Sequence, residues 1–272
     1  MTDTATMEAT VPDAVAPRLH RGNVAVVIPA LNEALRIREV VESALRECDR
    51  VIVIDDGSED GTADRIADLP VTLLRHAQRM GKGASLRDGF REALRHGAAA
   101  VLTMDGDGQH HAEDIPRLLD AANRHPDRIV IGARLRKRSQ QPTYRRIAND
   151  FGDWGIAWGC GFRIVDSQSG HRVYPAAVAA LQDVPGEDFV YEAQLLISAA
   201  RRLNIGVVSV PIESRYATAA TPQQFRKSHF RPLRDLYRIT SHIVVQVWTH
   251  GNVIGEYRRT RSSRALIHDP GE

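Results

Sequence analysis

The segment Leu102–His111 has the sequence LTMDGDGQHH, in which an apolar run ends in two aspartates, two glycines, a glutamine and two histidines. A polar turn explains it when it is taken alone, because Asp-Gly pairs are common turn formers. The alternative is a metal site. Asp105 and Asp107 are one residue apart, and a tight turn through Gly106 and Gly108 can direct both carboxylates at one cation. Mg²⁺ or Mn²⁺ prefers oxygen ligands and usually shares them with substrate phosphates.

Such a cation would neutralise the charge that develops on a diphosphate leaving group. His110 and His111 are further candidate ligands, although the first turn of a helix explains their position as simply. The choice between turn and metal site therefore depends on the rest of the chain.

Other motifs for nucleotides and metals are incomplete. No GxGxxG follows the first apolar run, which disfavours a dinucleotide-binding dehydrogenase. The GKG at residues 81–83 lacks the first glycine and the Ser/Thr of a P-loop, since His76 and Gly83 stand in their places. In a calcium loop, His110 and Pro116 would replace the required glycine and the closing glutamate. Neither HExxH nor GxSxG occurs in the sequence.

The elements that would position these residues alternate between strands and helices. Five apolar, β-branched runs predict buried strands, and stretches with helical spacing separate them. Strands that are apolar on both faces and alternate with helices indicate a mostly parallel, Rossmann-like sheet with helices on both faces. The predicted strands are Val24–Pro29, Val51–Asp55, Val71–Arg75, Ala99–Met104 and Arg128–Ala133, and the predicted helices are Glu33–Cys48, Thr62–Asp68, Ala84–His96 and Glu113–Arg124.

Polar segments follow all five predicted strands. In open parallel sheets, ligands bind beyond the carboxyl ends of the strands, where such segments meet. The five segments bring acids, glycines and cations to one edge, so we expect a site there that handles phosphates and a metal. They are PALNE, DDGSEDG, RHAQRMGKG, DGDGQHH and GARLRKR, at residues 29–33, 55–61, 75–83, 105–111 and 132–138.

The composition is that of a globular protein, with 272 residues of which 43% are hydrophobic and 26% charged. The net charge of +2 conceals a basic C-terminal segment: residues 215–264 carry ten basic and two acidic side chains, hence +8 against −6 elsewhere. This asymmetry predicts either an anionic partner, such as a phosphate, a membrane surface or a nucleic acid, or a solvated arginine-rich helix and tail.

The two cysteines, Cys48 and Cys160, are too few for a disulfide framework, so a reducing, cytosolic setting is expected. Residues 1–20 begin without a basic start or a sustained apolar stretch, and we interpret them as a flexible tail rather than a signal peptide or anchor. The last apolar stretch, Ile243–Trp248, is far shorter than the ~20 residues of a membrane span. We expect a cytoplasmic protein, with association to the inner face of the membrane left open.

Eight segments resemble, in their chain order, glycosyltransferase family 2 and within it the polyprenyl-phosphate or dolichol-phosphate mannose synthase-like branch. Each segment is loose alone, but the ordered set is specific and runs from about residue 24 to 240. The resemblance implies a GT-A fold, a UDP- or GDP-sugar donor, Mg²⁺ or Mn²⁺, and inversion at the anomeric carbon. The segments are VVIPALNE, VIVIDDGSEDGT, GKGASLRDGF, MDGDGQHHAEDI, VDSQSGHRVY, FVYEAQLL, VPIESRY and SHFRPLRDLYRI.

The resemblance places the nucleotide in the first part of the chain. Pro29, Asn32 and Glu33 would line its pocket, Asp56 would contact the base or ribose, and Lys82 would lie near it.

The resemblance also implies a metal and phosphate centre. Asp105 and Asp107 are the family's Asp-x-Asp, which gives Asp107 a part in catalysis, and Gln109 is a further metal-side ligand. Arg134 and Arg146 would face phosphates of the donor or acceptor, with a surface salt bridge as the alternative for each.

Acceptor contacts are implied for Val165–Tyr174, with Asp166, Ser169 and Arg172 as candidates. The alternative there is a turn that closes a small strand pair.

The RKSHF sequence follows a loose polar stretch, which suggests a mobile lid carrying Arg226, Lys227 and His229 over the diphosphate. His229 would complete the metal shell or, alternatively, lie at a helix start without contacts. A helix over about residues 228–249 follows, with arginines between its apolar positions. It would rest on a membrane interface or pack on the core or a second subunit, so a homo-oligomer is left open. Many relatives continue into transmembrane helices and dolichol-type enzymes carry a different lid sequence, so the acceptor also stays open.

The acceptor decides whether a base is needed. A lipid phosphate is anionic and attacks without one, whereas a hydroxyl acceptor gains from a general base. Asp188 and Glu192 are the candidate bases, four residues apart on one helical face. Glu192 is favoured because it matches the family's F-x-x-E position. The alternatives are a charge at a helix N-terminus for Asp188 and an exposed or structural acid for Glu192.

The sequence therefore predicts a flexible tail at 1–20, a GT-A domain at 21–225, a lid and C-terminal helix at 226–254, and a basic flexible tail at 255–272. The expected function is sugar transfer to a lipid phosphate, glycolipid or hydroxyl in cell-envelope, glycolipid or polysaccharide biosynthesis, and no nucleic-acid partner is expected. A sugar-phosphate nucleotidyltransferase is the alternative enzyme, but PALNE stands where it typically has a glycine-rich loop. A non-catalytic nucleotide or polyanion binder is disfavoured because the Asp-x-Asp and lid residues are present.

Overall fold

The structure is a computed structural model that describes residues 17–136, 143–213, 241, 245, 248, 249 and 253–269, with only the backbone described at 143–149, 151 and 189. Within these ranges the chain forms eight strands: β1 Val24–Ala30, β2 Val51–Asp55, β3 Thr72–Arg75, β4 Ala100–Thr103, β5 Arg128–Ala133, β6 Arg172–Pro175, β7 Gly206–Pro211 and β8 Leu266–Ile267. They make one sheet with the order β3-β2-β1-β4-β6-β5-β7-β8. Strand β6 is antiparallel to β4 and β5, and the other pairs are parallel.

Helices follow most of the strands. The α-helices are α1 Ile37–Glu47, α2 Lys82–Arg95, α3 Ile115–Arg124, α4 Thr143–Cys160, α5 Ala176–Ala179, α6 Asp188–Arg202 and α7 Val253–Ser262. Short 3₁₀ turns lie at Ala63–Ile66 and Ala112–Asp114.

The sheet is covered on both faces, because successive side chains of a strand point to opposite faces. In β1, Val24, Val26 and Ile28 pack with residues of α1 and α3, whereas Ala25 and Val27 pack with residues of α2 and α6. This two-sided burial explains the uninterrupted apolar runs. The predicted GT-A-type fold, a mostly parallel sheet with helices on both faces, is confirmed.

The predicted strands agree with the structure to within about two residues, but several helix starts differ. Helix α2 begins at Lys82, two residues earlier than predicted, and α1 begins at Ile37 rather than Glu33. The segment before α1 is not helical because Asn32 has a φ of 56° and the chain turns there. The predicted helix Thr62–Asp68 is a short 3₁₀ turn.

The predicted tail at 255–272 differs from the structure, which places its first part in α7 and β8. Two contacts hold this segment: Arg201 pairs with Glu256 at 3.0 Å, and the buried Thr260 donates from Oγ1 to the carbonyl of Ala157 at 3.4 Å. Just before it, Trp158 donates to the carbonyl of Val253 at 3.1 Å. Strand β8 extends the sheet beside β7. The sequence pattern did not indicate these anchors because the segment is rich in arginine.

The other predicted boundaries are covered only in part. Residues 1–16 and the boundary at 225/226 lie outside the described residues, as does most of the predicted helix at 228–249. At the N-terminus, the amide of Leu19 donates to Asn123 Oδ1 at 2.7 Å, so the end of the predicted tail is attached to α3. No helix in the described part of the chain is both long enough and apolar enough to cross a bilayer.

Candidate functional site

The loops after β1 and β2 are joined by hydrogen bonds at the carboxyl edge of the sheet. The amide of Asn32 donates to Ser58 Oγ at 2.8 Å, and Asn32 Oδ1 accepts from the amide of Glu59 at 2.9 Å. The amide of Glu33 donates to Thr62 Oγ1 at 2.8 Å. Asn32 and Glu33, which follow Pro29 of β1, therefore help to form one wall of the site at the carboxyl ends of the strands. A nucleotide pocket at this place would require such a wall.

Asp56 fixes the loop that leads into α2. Its carboxylate accepts hydrogen bonds from the amides of Met80 and Gly81, at 2.7 and 2.8 Å, and it contacts His76 Nδ1 at 2.8 Å. Only 4% of Asp56 is exposed. The geometry favours a role in positioning this loop, and a contact of Asp56 with the base or ribose stays a prediction.

Gly81 has a φ of 94°, which an L-residue rarely adopts, so the loop enters α2 through a bend suited to glycine. Lys82 is the first residue of α2, and its amide donates to Asp188 Oδ1 at 3.2 Å. The Asp56 and Asp188 carboxylates thus fix the backbone on both sides of the Gly81–Lys82 peptide.

The Lys82 side chain connects the Asp-x-Asp segment to α6. Its Nζ lies 2.8 Å from Asp105 Oδ1 and 3.1 Å from Glu192 Oε2. Burial opposes the charge, but the Asp105 and Glu192 carboxylates raise the pKa of Lys82, so it stays an ammonium ion. Glu192 Oε1 in turn lies 3.9 Å from the Arg172 guanidinium. The four side chains form one network of alternating charge.

Asp105 and Asp107 lie just beyond the end of β4 and differ in their electrostatics. Burial opposes ionisation of Asp105, but Lys82 and His110 hold its pKa far below the usual range. Burial and the charge of Asp105 raise the pKa of Asp107. Asp107 Oδ1 accepts a hydrogen bond from the amide of Gln109 at 3.0 Å, which closes the turn. Asp107 therefore carries a charge that the protein compensates only in part.

A hard divalent cation fits this donor set. It would relieve the repulsion between the two carboxylates that raises the pKa of Asp107. Gly170 forms one wall of the cradle, since a Cβ there would lie 2.5 Å from Asp105 Oδ2. Within the described ranges, no group of three or more His, Cys, Asp or Glu side chains is arranged around a common metal position. The carboxylate pair would accordingly need ligands from the substrate or from residues outside those ranges.

Replacement of Gly170 by alanine is expected to weaken metal-dependent nucleotide binding by ~10- to 100-fold, because the new methyl group must displace the Asp105 carboxylate. Calorimetric titration of the nucleotide with Mn²⁺ measures this effect. Gly22→Ala is the matched control, since a Cβ there meets first the side chain of His20 at 3.2 Å. Unchanged metal-dependent binding in Gly170→Ala would show that the wall at residue 170 does not position Asp105.

One histidine, His110, lies against the Asp105 carboxylate, and two others are near it in the chain or in space. His110 is 8% exposed and its Nε2 lies 3.4 Å from Asp105 Oδ2, while His111 is more exposed and lies 3.9 Å from Glu113. The His110 ring is 5.1 Å from that of His171, whose two nitrogens are buried without a hydrogen-bond partner in the described part of the chain. Burial lowers the pKa of His171, so it is a neutral neighbour of the site. His171 was not predicted as a site residue, because only the pairing of β6 beside β4 brings it close to His110.

Arg134, which directly follows β5, forms an ion pair with the buried Asp166. The Arg134 guanidinium donates from Nε to Asp166 Oδ2 at 2.8 Å and from Nη2 to Asp166 Oδ1 at 2.5 Å. The backbone amide of Arg134 also donates to Asp166 Oδ2, at 2.7 Å. Asp153 on α4 accepts from the amides of Asp166 and Ser167, at 2.8 and 2.7 Å. Burial raises the pKa of Asp153 to about 6. The predicted Arg134 and Asp166 thus contact each other, and Asp153 was missed because nothing in the spacing of α4 marks it.

Ser169 and Arg172 are internal supports of the turn that precedes β6. Arg172 is 1% exposed and donates to the carbonyls of Ser167 and Ser169, at 2.6 and 2.7 Å, and to Tyr174 Oη at 3.0 Å. Ser169 is fully buried. The turn that the sequence analysis gave as the alternative is present, and direct contact of these two side chains with an acceptor is not what their positions favour.

Asp188 and Glu192 lie on one face of α6, as their spacing predicted, and both contact Lys82. Asp188 has a φ of 49° and contacts the backbone, whereas Glu192 is 6% exposed and contacts the ammonium group. The side chains of Arg146, Arg226, Lys227 and His229 lie outside the described residues, so their predicted roles stay predictions.

Comparison with known proteins agrees with this geometry. The family model for glycosyl transferase family 2 matches residues 25–174. The undecaprenyl-phosphate mannosyltransferase of Micrococcus luteus is 32% identical over 203 residues, which are 70% of this chain and 82% of that protein. The polyprenol monophosphomannose synthase of Mycolicibacterium smegmatis is 31% identical, over 69% of this chain and 75% of that protein.

Among solved structures, glucosyl-3-phosphoglycerate synthase from Mycobacterium tuberculosis, in complex with Mn²⁺, UDP-glucose and phosphoglyceric acid, is similar in fold with a TM-score of 0.61. The two are 21% identical, and the match covers 84% of this chain and 79% of the other. Of the two enzyme classes predicted from the sequence, the family match supports the glycosyltransferase and not the sugar-phosphate nucleotidyltransferase. This chain belongs to glycosyl transferase family 2 and is a glycosyltransferase.

Proposed function

We propose that this enzyme transfers a sugar from a UDP- or GDP-sugar to a polyprenyl phosphate or related lipid phosphate, with inversion at the anomeric carbon and with Mg²⁺ or Mn²⁺. The observation that carries the proposal is the Asp105–Asp107 pair at the end of β4, beside the ammonium group of Lys82. The two carboxylates could bind a metal and the ammonium group could bind a phosphate, and all three lie together at the carboxyl ends of the parallel strands.

The nucleotide would bind along the loops after β1, β2 and β3, where Asn32, Glu33 and the segment fixed by Asp56 form the wall. The start of α2 faces the same region, and the N-terminus of a helix favours phosphate groups. Two relatives support a nucleotide sugar: one is named a UDP-N-acetylglucosamine–dolichyl-phosphate N-acetylglucosaminyltransferase, and the structural neighbour binds UDP-glucose.

Asp105 and Asp107 would hold the metal, with Gln109 and His229 as the further proposed ligands. When bound, the ion would neutralise negative charge on the diphosphate leaving group. Lys82 would add a second positive charge on the same side, and Arg134 would need to exchange Asp166 for a phosphate before it could contribute.

The surroundings of Glu192 favour a lipid phosphate over a hydroxyl acceptor. A general base needs a carboxylate oxygen available for the acceptor's proton. Glu192 Oε2 is paired with Lys82 and Oε1 faces Arg172, so both oxygens of this carboxylate already face a cation. A phosphate acceptor is already anionic and needs no base, which fits this arrangement. The two mannosyltransferase relatives are named for polyprenyl-type acceptors.

Peripheral membrane contact belongs to the same proposal. Trp154, Val245, Trp248 and Ile254 are exposed at 44%, 56%, 69% and 68%. Aromatic and aliphatic side chains together with a basic segment are typical of proteins that bind an anionic bilayer surface. Such contact would bring the enzyme to a lipid acceptor in cell-envelope or glycolipid biosynthesis. An inner-face location and a homo-oligomer stay predictions.

The test has two steps. Calorimetric titration with UDP, GDP and their sugar conjugates, with Mn²⁺ and then with EDTA, should show metal-dependent binding of one nucleotide. The matching radiolabelled nucleotide sugar is then offered undecaprenyl phosphate in detergent, with undecaprenol as the control that lacks the phosphate. We expect transfer to the phosphate only. Transfer to undecaprenol would contradict the proposed acceptor, and no nucleotide binding in the presence of metal would contradict the donor site.

A further inference from the structure

The ammonium group of Lys82 is paired with the Asp105 carboxylate, which the proposed metal needs as a ligand. Lys82 Nζ lies 2.8 Å from Asp105 Oδ1, and only 20% of the Lys82 side chain is exposed. A divalent cation on Asp105 would therefore meet a positive charge already bound there. At a few ångströms and in a partly buried site, that repulsion is strong because water screens it poorly.

The backbone of Lys82 is held, while its side chain has the freedom to change partners. Gly81 and Lys82 donate their amides to Asp56 and Asp188, so the start of α2 is anchored on both sides. The lysine side chain has four rotatable methylene groups and a point charge without a fixed hydrogen-bonding plane. It can swing toward a new anion without any movement of the helix.

The start of α2 is an unfavourable place for a cation and a favourable one for a phosphate. The partial positive charge of a helix N-terminus repels an ammonium group, and α2 has no acidic residue in its first turn. The Asp105 and Glu192 carboxylates offset this by pairing with Lys82. A nucleotide diphosphate at the same place would interact with both the helix end and Lys82.

Departure of Lys82 would leave Glu192 with a counter-charge and would open only Asp105 to a new cation. Arg172 is buried at 3.9 Å from Glu192 Oε1 and stays there, so it compensates Glu192. Asp105 would then be the carboxylate that gains a free oxygen. The network is arranged so that one cation can leave and another can take its place on Asp105.

We propose that Lys82 is an internal counter-ion of Asp105 that competes with the divalent metal until a nucleotide diphosphate draws its ammonium group away, so that metal and nucleotide bind as a coupled pair. The inference rests on the proposed donor site. Glu192 is a positioning residue in this scheme: it holds Lys82 beside Asp105 when no nucleotide is bound. The coupling is reciprocal, since the metal strengthens nucleotide binding by the same factor.

The experiment is a titration of Mn²⁺ into the full chain by calorimetry, alone and with saturating UDP or GDP. We expect the wild type to bind Mn²⁺ ~5- to 150-fold more tightly with the nucleotide than without it. Lys82→Met should bind Mn²⁺ alone at least several-fold more tightly than the wild type. Because a diphosphate chelates Mn²⁺ itself, the variant keeps some gain from the nucleotide, but a smaller one.

Two further variants make the result specific. Arg36→Met removes a positive charge beside the same turn, since Arg36 Cδ is 3.3 Å from the place of a Gly108 Cβ, and it does so without touching the Lys82–Asp105 pair. It should change Mn²⁺ binding less than Lys82→Met does. Lys82→Met combined with Glu192→Gln removes one charge of each sign. This double variant replaces Lys82→Met in the Mn²⁺ titration if the single variant does not fold.

The outcomes separate this inference from the proposed function. Equal or weaker binding of Mn²⁺ alone by a folded Lys82→Met protein and by the double variant would overturn the counter-ion role, while metal-dependent nucleotide binding by the wild type would still support the donor site. Absence of Mn²⁺ binding by the protein alone, together with nucleotide samples that bind no more Mn²⁺ than the same nucleotide without protein, would overturn both.

Discussion

Replacement of Asp107 by asparagine is expected to lower sugar transfer by ~10²- to 10³-fold, because a bound metal contributes several kcal/mol to charge stabilisation in the transition state. The same change should leave the metal-free protein as stable as the wild type or more stable. Partial burial and the neighbouring charge of Asp105 both raise the pKa of Asp107, which means that its ionised form costs free energy in the folded state. Asparagine keeps the shape and one oxygen but removes the charge.

Two measurements check this prediction. Initial rates with Mn²⁺ and the nucleotide sugar give the loss of activity, and thermal unfolding in EDTA gives the stability. Mn²⁺ should raise the unfolding temperature of the wild type but not of Asp107→Asn. Asp120→Asn is the control for charge removal at an exposed position of α3, where the side chain is 45% accessible. A variant that is both active and less stable than the wild type would contradict the metal role of Asp107.

Replacement of Arg134 by methionine is expected to lower the free energy of unfolding by ~3–5 kcal/mol, because it leaves the Asp166 carboxylate buried without its partner. Burial opposes ionisation of Asp166, and Arg134 nevertheless holds its pKa below the usual 3.8. A carboxyl with a lowered pKa in the folded state stabilises the fold above its unfolded pKa, and this contribution is lost as the pH falls through the folded pKa. The difference between wild type and variant should therefore be large at pH 7 and shrink below about pH 4.

Urea unfolding at pH 7 and at low pH measures this difference. Arg134→Met combined with Asp166→Asn should recover part of the stability, because the double change leaves no unpaired charge. Arg134 was expected from the sequence to face a phosphate. A variant with wild-type stability and weaker substrate binding would support that phosphate contact and contradict the structural role of the pair.

Much of the fold was predictable because strand burial leaves a local pattern. The run Val24–Pro29 is apolar at every position, and the structure shows why: its alternate side chains enter two different halves of the core. The positions of Asp105 and Lys82 at one edge also followed, since both lie in the polar segments that follow predicted strands, and parallel strands end together.

The partners of these residues could not be predicted, because pairing between distant segments leaves no local signal. Strand β6 lies between β4 and β5, although it comes after both in the chain. That insertion brings His171 to His110 and Arg172 to Glu192, and no spacing in the sequence indicates either contact. Asp153 supports Asp166 from a helix whose apolar pattern gives no reason to single it out.

The place of β6 in the sheet also sets the order in which this enzyme can form its site during synthesis. Arg172 is in register with Thr103 of β4 and Ile131 of β5, and Val173 is in register with Leu102 and Val130, so two residues of the inserted strand join the two halves. A nascent chain that has reached the end of β5 contains every aspartate and lysine of the donor side but cannot yet space β4 and β5 correctly. Strand pairing between distant segments is slow, because the intervening loop must close first. We therefore expect the donor half to emerge from the ribosome before β6 and to mature only when β6 arrives, with the edges of β4 and β5 open until then to pairing with other chains.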